Sequence, residues 1–189
     1  EVRTGLYFVE SVFWDTLPAI YDDLDRALAS HYPKVDPPSN WFHLASWMGG
    51  DRDGNPNVTH KVTAETLRLH RGLAVENHRR ILQDLARRLS MSDRRLPPSP
   101  ELSAWIESRR PLPPHVTFIE ERYAAEPYRL VLSLLSADLA DASRDEMTAR
   151  LLERTPHQAK INLGHLLKPI DIIAARLPDA LAQDEMQKV

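Results

Sequence analysis

The sequence predicts a mainly α-helical chain with at most one short strand, about residues 41–47, and three observations carry that expectation. Apolar residues recur every three or four positions through most of the chain, the period of a single helix face. Proline-rich stretches punctuate those runs and read as loops. Only WFHLASW, Trp41 to Trp47, is short and aromatic enough to read as a buried strand. No repeat, coiled-coil heptad run or low-complexity tract is present.

In the first segment Val2, Leu6, Val9, Phe13, Leu17, Ile20, Leu24 and Leu28 form one apolar stripe. Pro18 interrupts it, so the spacing predicts a kink or two helices, with Thr16 capping the second and Pro18 in its first turn. HYPKVDPPSN then stops the helix. After the candidate strand and a glycine-rich loop over 46–59, Thr59 is placed to cap a long helix running to about Ser90. Leu69, Leu73, Ile81, Leu85 and Leu89 share one side of it. Gly72 inside this helix costs about 1 kcal/mol against alanine, which predicts close packing at that point. Residues 92–115 are proline- and arginine-rich and read as an exposed excursion broken by one short helix around Leu102 to Ser108. Another helix begins near Glu126–Arg129 with Leu132, Leu135 and Leu139 as its stripe. Thr155-Pro156-His157-Gln158 reads as a capping-box start. Ile161, His165, Ile170, Ile173 and Leu177 follow, with a kink at Pro169 and a last short helix near Pro178.

At 189 residues the chain reads as one helical fragment, 1–189. It opens on a helical pattern with no initiator methionine, which suggests a piece of something longer. The net charge of −3 gives no drive toward nucleic acid or an anionic membrane. No apolar run approaches the roughly 20 residues of a membrane span. There is no cysteine, so disulfides and thiolate metal sites are excluded, which suits the cytoplasm. The eight histidines show no close metal-ligand spacing, and zinc is not expected. His43 in its apolar run reads as a packed core residue. Trp14, Trp41 and Trp105 read as packing, and the four arginine pairs (Arg79-Arg80, Arg87-Arg88, Arg94-Arg95, Arg109-Arg110) as a solvated face.

Residues 46–59, SWMGGDRDGNPNVT, depart from this background. Asp51, Asp53 and Asn55 resemble the opening of a calcium loop, but Pro56 replaces its obligatory glycine and Val62 its bidentate glutamate. No Gly-Lys-Ser/Thr follows to make a phosphate loop. Gly49-Gly50 permits positive φ or close approach by another group. If Asp51-Arg52-Asp53 is extended, its carboxylates point one way and its guanidinium the other. Two readings stay open on these grounds: site residues on a constrained loop, or Asp–Arg pairs that brace a turn.

As text, the same fourteen residues resemble the SWMGGDRDGNPxVT signature of phosphoenolpyruvate carboxylase. VFWDTLPAIYDDLDRAL, LARRLSM, AAEPYRLVLSLL and HLLKPIDIIAARL resemble that family's neighbouring segments in order. The likeness is weakest over Ser92 to His115. It implies a large cytoplasmic homotetramer that adds bicarbonate to phosphoenolpyruvate with Mg2+ or Mn2+, giving oxaloacetate and phosphate. It also implies a (β/α)8 barrel buried in extra helices, with 41–47 as a barrel strand and the glycine loop leading from it to the site. Trp47 then corresponds to the signature tryptophan linked to bicarbonate, with Asp51, Arg52, Asp53 and Asn55 lining the site. Arg129 corresponds to the Glu-Pro-Tyr-Arg arginine of the sugar-phosphate activator site in plant members.

The family's Thr-Ala-His-Pro-Thr-Glu motif, Gly-Arg-Gly-Gly loop, catalytic lysine segment and acidic metal ligands are missing from Glu1 to Val189. The resemblance therefore implies an internal fragment, inactive alone and binding no metal. The alternative is a stand-alone helical regulatory module that binds an anionic metabolite through Arg129.

Overall fold

A computed structural model describes residues 1–38, 41–53, 55–151 and 162–177, with the side chains of 145–151 left aside. Its regular elements are helical: α1 (Val2–Phe8), a π-helical turn (Val9–Phe13), α2 (Trp14–His31), α3 (His60–Arg88), α4 (Pro100–Ser108), α5 (Thr117–Arg122), α6 (Pro127–Leu151) and α7 (Leu163–Ala174). The chain divides into two compact units, Glu1–Leu73 and Ala74–Val189.

In the first unit the helix runs unbroken through Pro18 instead of restarting at Thr16. Thr16 caps nothing; its Oγ1 donates back to the Val12 carbonyl at 2.6 Å. Proline at position 18 cannot donate to the Trp14 carbonyl and crowds it. The wider π turn ending at Phe13 lies immediately before that carbonyl. No residue of α1, the π turn or α2 is buried. Trp41–Trp47 forms no strand. A strand needs a neighbour to satisfy its amides, and among the described residues none is present. His43 is accordingly exposed instead of packed in a core. The segment is pinned by rings, Trp41 lying 5.2 Å from Tyr21 and 5.6 Å from Phe42.

Thr59 does cap α3, its Oγ1 accepting from the Val62 amide at 3.4 Å. At Gly72 the expected close packing is absent, because a Cβ built there would meet nothing within 4 Å.

The second unit holds the core. Leu82, Leu85 and Leu89 of α3 meet Tyr128, Leu132, Leu135 and Leu139 of α6, with Ile170 and Ile173 of α7 and the following Leu177 closing the cluster. Each such side chain contributes about 1.5–3 kcal/mol by leaving water. The proline- and arginine-rich stretch is anchored here too. Ser99 caps α4 by accepting from the Leu102 amide, Pro100 occupies the first turn, and Leu102 is buried in the core. Trp105 packs against that cluster and against a second one formed by Val116, Ile119, Leu130 and Leu134. The short α5 that supplies Ile119 has no counterpart in the periodicity reading. α7 starts at Leu163, with Asn162 extended (φ −104°, ψ 163°) and its side chain capping His165. Pro169, where a kink was expected, lies inside the helix. The capping box at 155–158, Ile161 and the helix near Pro178 lie outside the described residues.

Candidate functional site

The loop after Trp47 is built by its own backbone. The Trp47 carbonyl accepts from both Gly50 and Asp51 amides at 3.0 Å. Gly49, between them, has φ +75°, which L side chains adopt at a cost. A Cβ at Gly49 would also overlap Thr66 Oγ1 and sit 2.9 Å from Thr66 Cβ, so glycine is required twice over. Gly50 is different: φ is not positive, and a Cβ there would meet only the Trp47 carbonyl oxygen at 3.8 Å. It supplies no close approach.

The acidic residues do not form an extended pair. Asp51 Oδ1 turns back to accept from the Asp53 amide at 3.1 Å, and Asn55 Oδ1 does the same for the Asn57 amide at 3.0 Å. Such short-range bonds substitute side chain for backbone and tighten a turn. Arg52 reaches out instead, its Nη2 donating to Thr63 Oγ1 on α3 at 3.3 Å. Trp47 stands away from all of this and is 80% exposed. The turn is thus braced by Asp51, Arg52 and Asn55 while the indole is left free.

Arg129 belongs to the second unit. Its guanidinium lies 4.3 Å from the Tyr123 ring centre, and Nη1 donates to Ser90 Oγ at 3.1 Å and Glu126 Oε2 at 3.3 Å. Ser90 Oγ also donates to Glu126. That hydroxyl holds the Glu126 carboxyl below its ordinary value; partial burial opposes the shift, and Arg129 adds to it. A cleft of about 410 Å³ opens beside this group, lined among others by Arg79, Arg87, Tyr123, Arg129, Ser133 and Ser136. Arg79 is held by a two-point contact with Glu76 at 2.9 and 2.7 Å, and Arg87 by Asp84. The Glu76 contact raises the Arg79 pKa, and its donation lowers that of Glu76.

A family profile described as phosphoenolpyruvate carboxylase matches residues 1–188. The chain belongs to that family. A phosphoenolpyruvate carboxylase of Roseiflexus castenholzii is 39% identical over 133 residues, covering 69% of this chain and 14% of that protein. One from Thermus thermophilus is 30% identical over 180 residues, covering 94% of this chain and 20% of the relative. One from Rhodothermus marinus reaches 43% over 93 residues, 49% of this chain and 10% of the relative. The chain thus spans at most a fifth of these phosphoenolpyruvate carboxylases.

Of the residues singled out in the sequence, Trp47, Asp51, Arg52, Asp53 and Asn55 share one loop, while Arg129 sits in the other unit. Among the described residues no three His, Asp or Glu side chains converge as a metal ion requires. Asp51 already spends a carboxylate oxygen on the Asp53 amide. This donor set does not fit the metal ion that the resemblance implies. Two features had no sequence signal. Thr66 is the one buried described residue of the first unit. In the second unit Arg109 donates to Asp138 Oδ1 at 2.6 Å, and His165 Nε2 lies 3.2 Å from both Asp138 Oδ2 and Arg109 Nη1. The Arg109-Arg110 pair is therefore not merely a solvated face, because Arg109 joins the end of α4 to α6 and α7.

Proposed function

We propose that this chain is an internal segment of a phosphoenolpyruvate carboxylase and supplies one wall of its carboxylation site. The whole protein would add bicarbonate to phosphoenolpyruvate with Mg2+ or Mn2+, releasing oxaloacetate and phosphate, as a cytoplasmic homotetramer. The observation that carries the reading is the fourteen-residue signature, folded as a braced loop with Trp47 free, in a chain matched to the family over 1–188. On this reading Trp47 presents a flat apolar wall to bicarbonate and keeps water from the carboxylation step. Asp51, Arg52 and Asn55 hold the backbone that carries it, and Asp53 faces the site from the same turn. The acid–base, phosphate-binding and metal-binding groups lie in other parts of the protein, so the chain alone carboxylates nothing.

The test is oxaloacetate formation from phosphoenolpyruvate and bicarbonate, followed by coupled reduction, for the full-length protein and for residues 1–189. Turnover by the full-length protein that is abolished by chelation, with none from the chain, supports the reading. An inactive full-length protein, or an active chain, refutes it.

Arg129 is proposed as an effector contact in the same protein. Its support is the cleft lined by Arg79, Arg87 and Arg129 with the hydroxyls of Ser133 and Ser136 nearby. Guanidinium groups grip phosphate through paired N–H donors, and Arg129 has Nε and Nη2 beyond the Nη1 already engaged. Calorimetric binding of a sugar phosphate to the full-length protein, lost in Arg129→Ala, is the expected outcome. Equal binding by the variant removes Arg129 from the account. The same cleft is what favours the second reading, a regulatory module binding an anionic metabolite; that reading predicts such binding by residues 1–189 without any carboxylation in the full-length protein.

A further inference from the structure

We infer that Thr66 is a positioning residue for Trp47, acting by its shape through the side-chain-free face of Gly49. The inference rests on the carboxylation reading above only for its kinetic test.

Thr59, Thr63 and Thr66 are spaced by four and three positions, which puts them on one face of the first turns of α3. Each meets the signature loop or its end. Thr59 caps the helix, Thr63 receives the Arg52 guanidinium at 3.3 Å, and Thr66 fills the space where Gly49 would carry a Cβ. Thr66 is 7% exposed in a region that otherwise buries nothing among its described residues. Its hydroxyl is already spent, donating to the Val62 carbonyl within α3 at 2.9 Å. Oγ1 is also the Thr66 atom closest to where a Gly49 Cβ would stand, but with its proton given to its own helix what Thr66 offers the loop is volume.

That volume sets the turn. Gly49 is locked at φ +75° between Trp47, whose carbonyl accepts two amides, and Asp51, which braces Asp53. On the other side Met48 lies against α1, where a Cβ on Gly5 would overlap Met48 Cε and lie 3.2 Å from Sδ. Consecutive residues 48 and 49 are thus held against α1 and α3. Trp47 precedes both and projects from the held backbone with 80% of its surface exposed. Bulk added at position 66 pushes on Gly49 directly and shifts Trp47 with it; a β-branched residue of the same shape does not.

The experiment compares Thr66→Val and Thr66→Phe in the full-length protein carrying this chain. Kinetically, Thr66→Phe should raise KM for bicarbonate about tenfold while KM for phosphoenolpyruvate stays within about twofold. Thr66→Val should keep both within about twofold of wild type. The second readout is the 19F spectrum of the 5-fluorotryptophan-labelled protein, with the Trp47 resonance assigned by its loss in Trp47→Phe. It should move in Thr66→Phe and stay in Thr66→Val. A merely structural role would lower thermal stability without separating the two KM values or moving that resonance. An unmoved resonance in Thr66→Phe, or equal damage by Thr66→Val, overturns the inference. If the wild type shows no carboxylation, the function reading fails and the 19F arm still decides this one. Should Thr66→Phe not fold, Thr66→Leu carries the same readouts.

Discussion

The two units of this chain use the same helical periodicity to opposite ends. In Ala74–Val189 the apolar stripes of α3, α6 and α7 meet one another, and Tyr128, Val131, Leu132, Leu135 and Ile173 are wholly shielded. In Glu1–Leu73 an equally regular stripe meets little. Val2, Leu6, Val9, Leu17, Leu24 and Leu28 on it are only half-buried and Phe13 and Ile20 exposed, and Tyr7, Phe8, Val12, Trp41, Phe42, Leu44 and Trp47 off it are exposed as well. Among the described residues, only Phe118, Leu163 and Leu167 join the exposed large apolar side chains from the second unit.

The difference shows what an amphipathic stripe does and does not say. A stripe states that a helix requires an apolar partner; it does not state that the partner is in the same segment. The fourteen-residue signature, the most informative text in the chain, lies in the unit least able to bury its own surface. In the proposed function the remaining length of the protein, about four-fifths or more by the relatives matched, supplies that cover.

This contrast can be broken by substitution. Leu135→Ala in the second unit should cost about 2–5 kcal/mol in urea unfolding, whereas Phe8→Ala in the first should stay within about 0.5 kcal/mol. Comparable losses would mean that the first unit has a core after all. Gly49→Ala forces a left-handed φ on alanine at about 1–2 kcal/mol, besides the overlap with Thr66. It should speed amide exchange at Gly50 and Asp51 about tenfold while leaving α6 unchanged. Asn162→Ala removes the cap of α7 and should cost about 1 kcal/mol, measured by the same urea series.

The smallest effect concerns pH. Because Glu126 is held below its ordinary value of 4.5, chiefly by Ser90, its contribution is present above that value. It is lost as pH falls through the lower folded value. Glu126→Gln should flatten this acid limb in a stability–pH series, and an unchanged limb would remove Glu126 from it.

Local signals were readable wherever neighbours in sequence decide the outcome. Thr59 at its cap, Leu132, Leu135 and Leu139 on one buried face, and the unusual turn at Gly49 all follow from short-range rules. Where a distant group decides, the text is silent. Nothing in the order of residues says that Gly72 faces no neighbour or that Arg109 meets Asp138 and His165. The same holds for the site. Asp51 and Asn55 stand out as polar residues on a constrained loop for which a site and a turn brace were both open, and their bonds to the amides two residues on decide for the brace. Thr66 carries no signal of its own, being one of two threonines on α3, and the other, Thr63, is open to the same reading.

Hydrogen exchange followed by mass spectrometry across the chain tests the contrast most directly. Amides of α6 from Leu130 to Leu139 should exchange only at the rate of global unfolding, while those of α1 and α2 exchange orders of magnitude faster. Equal protection in both units would contradict it, because a helix without a fully buried residue could not hold its amides as firmly as the core.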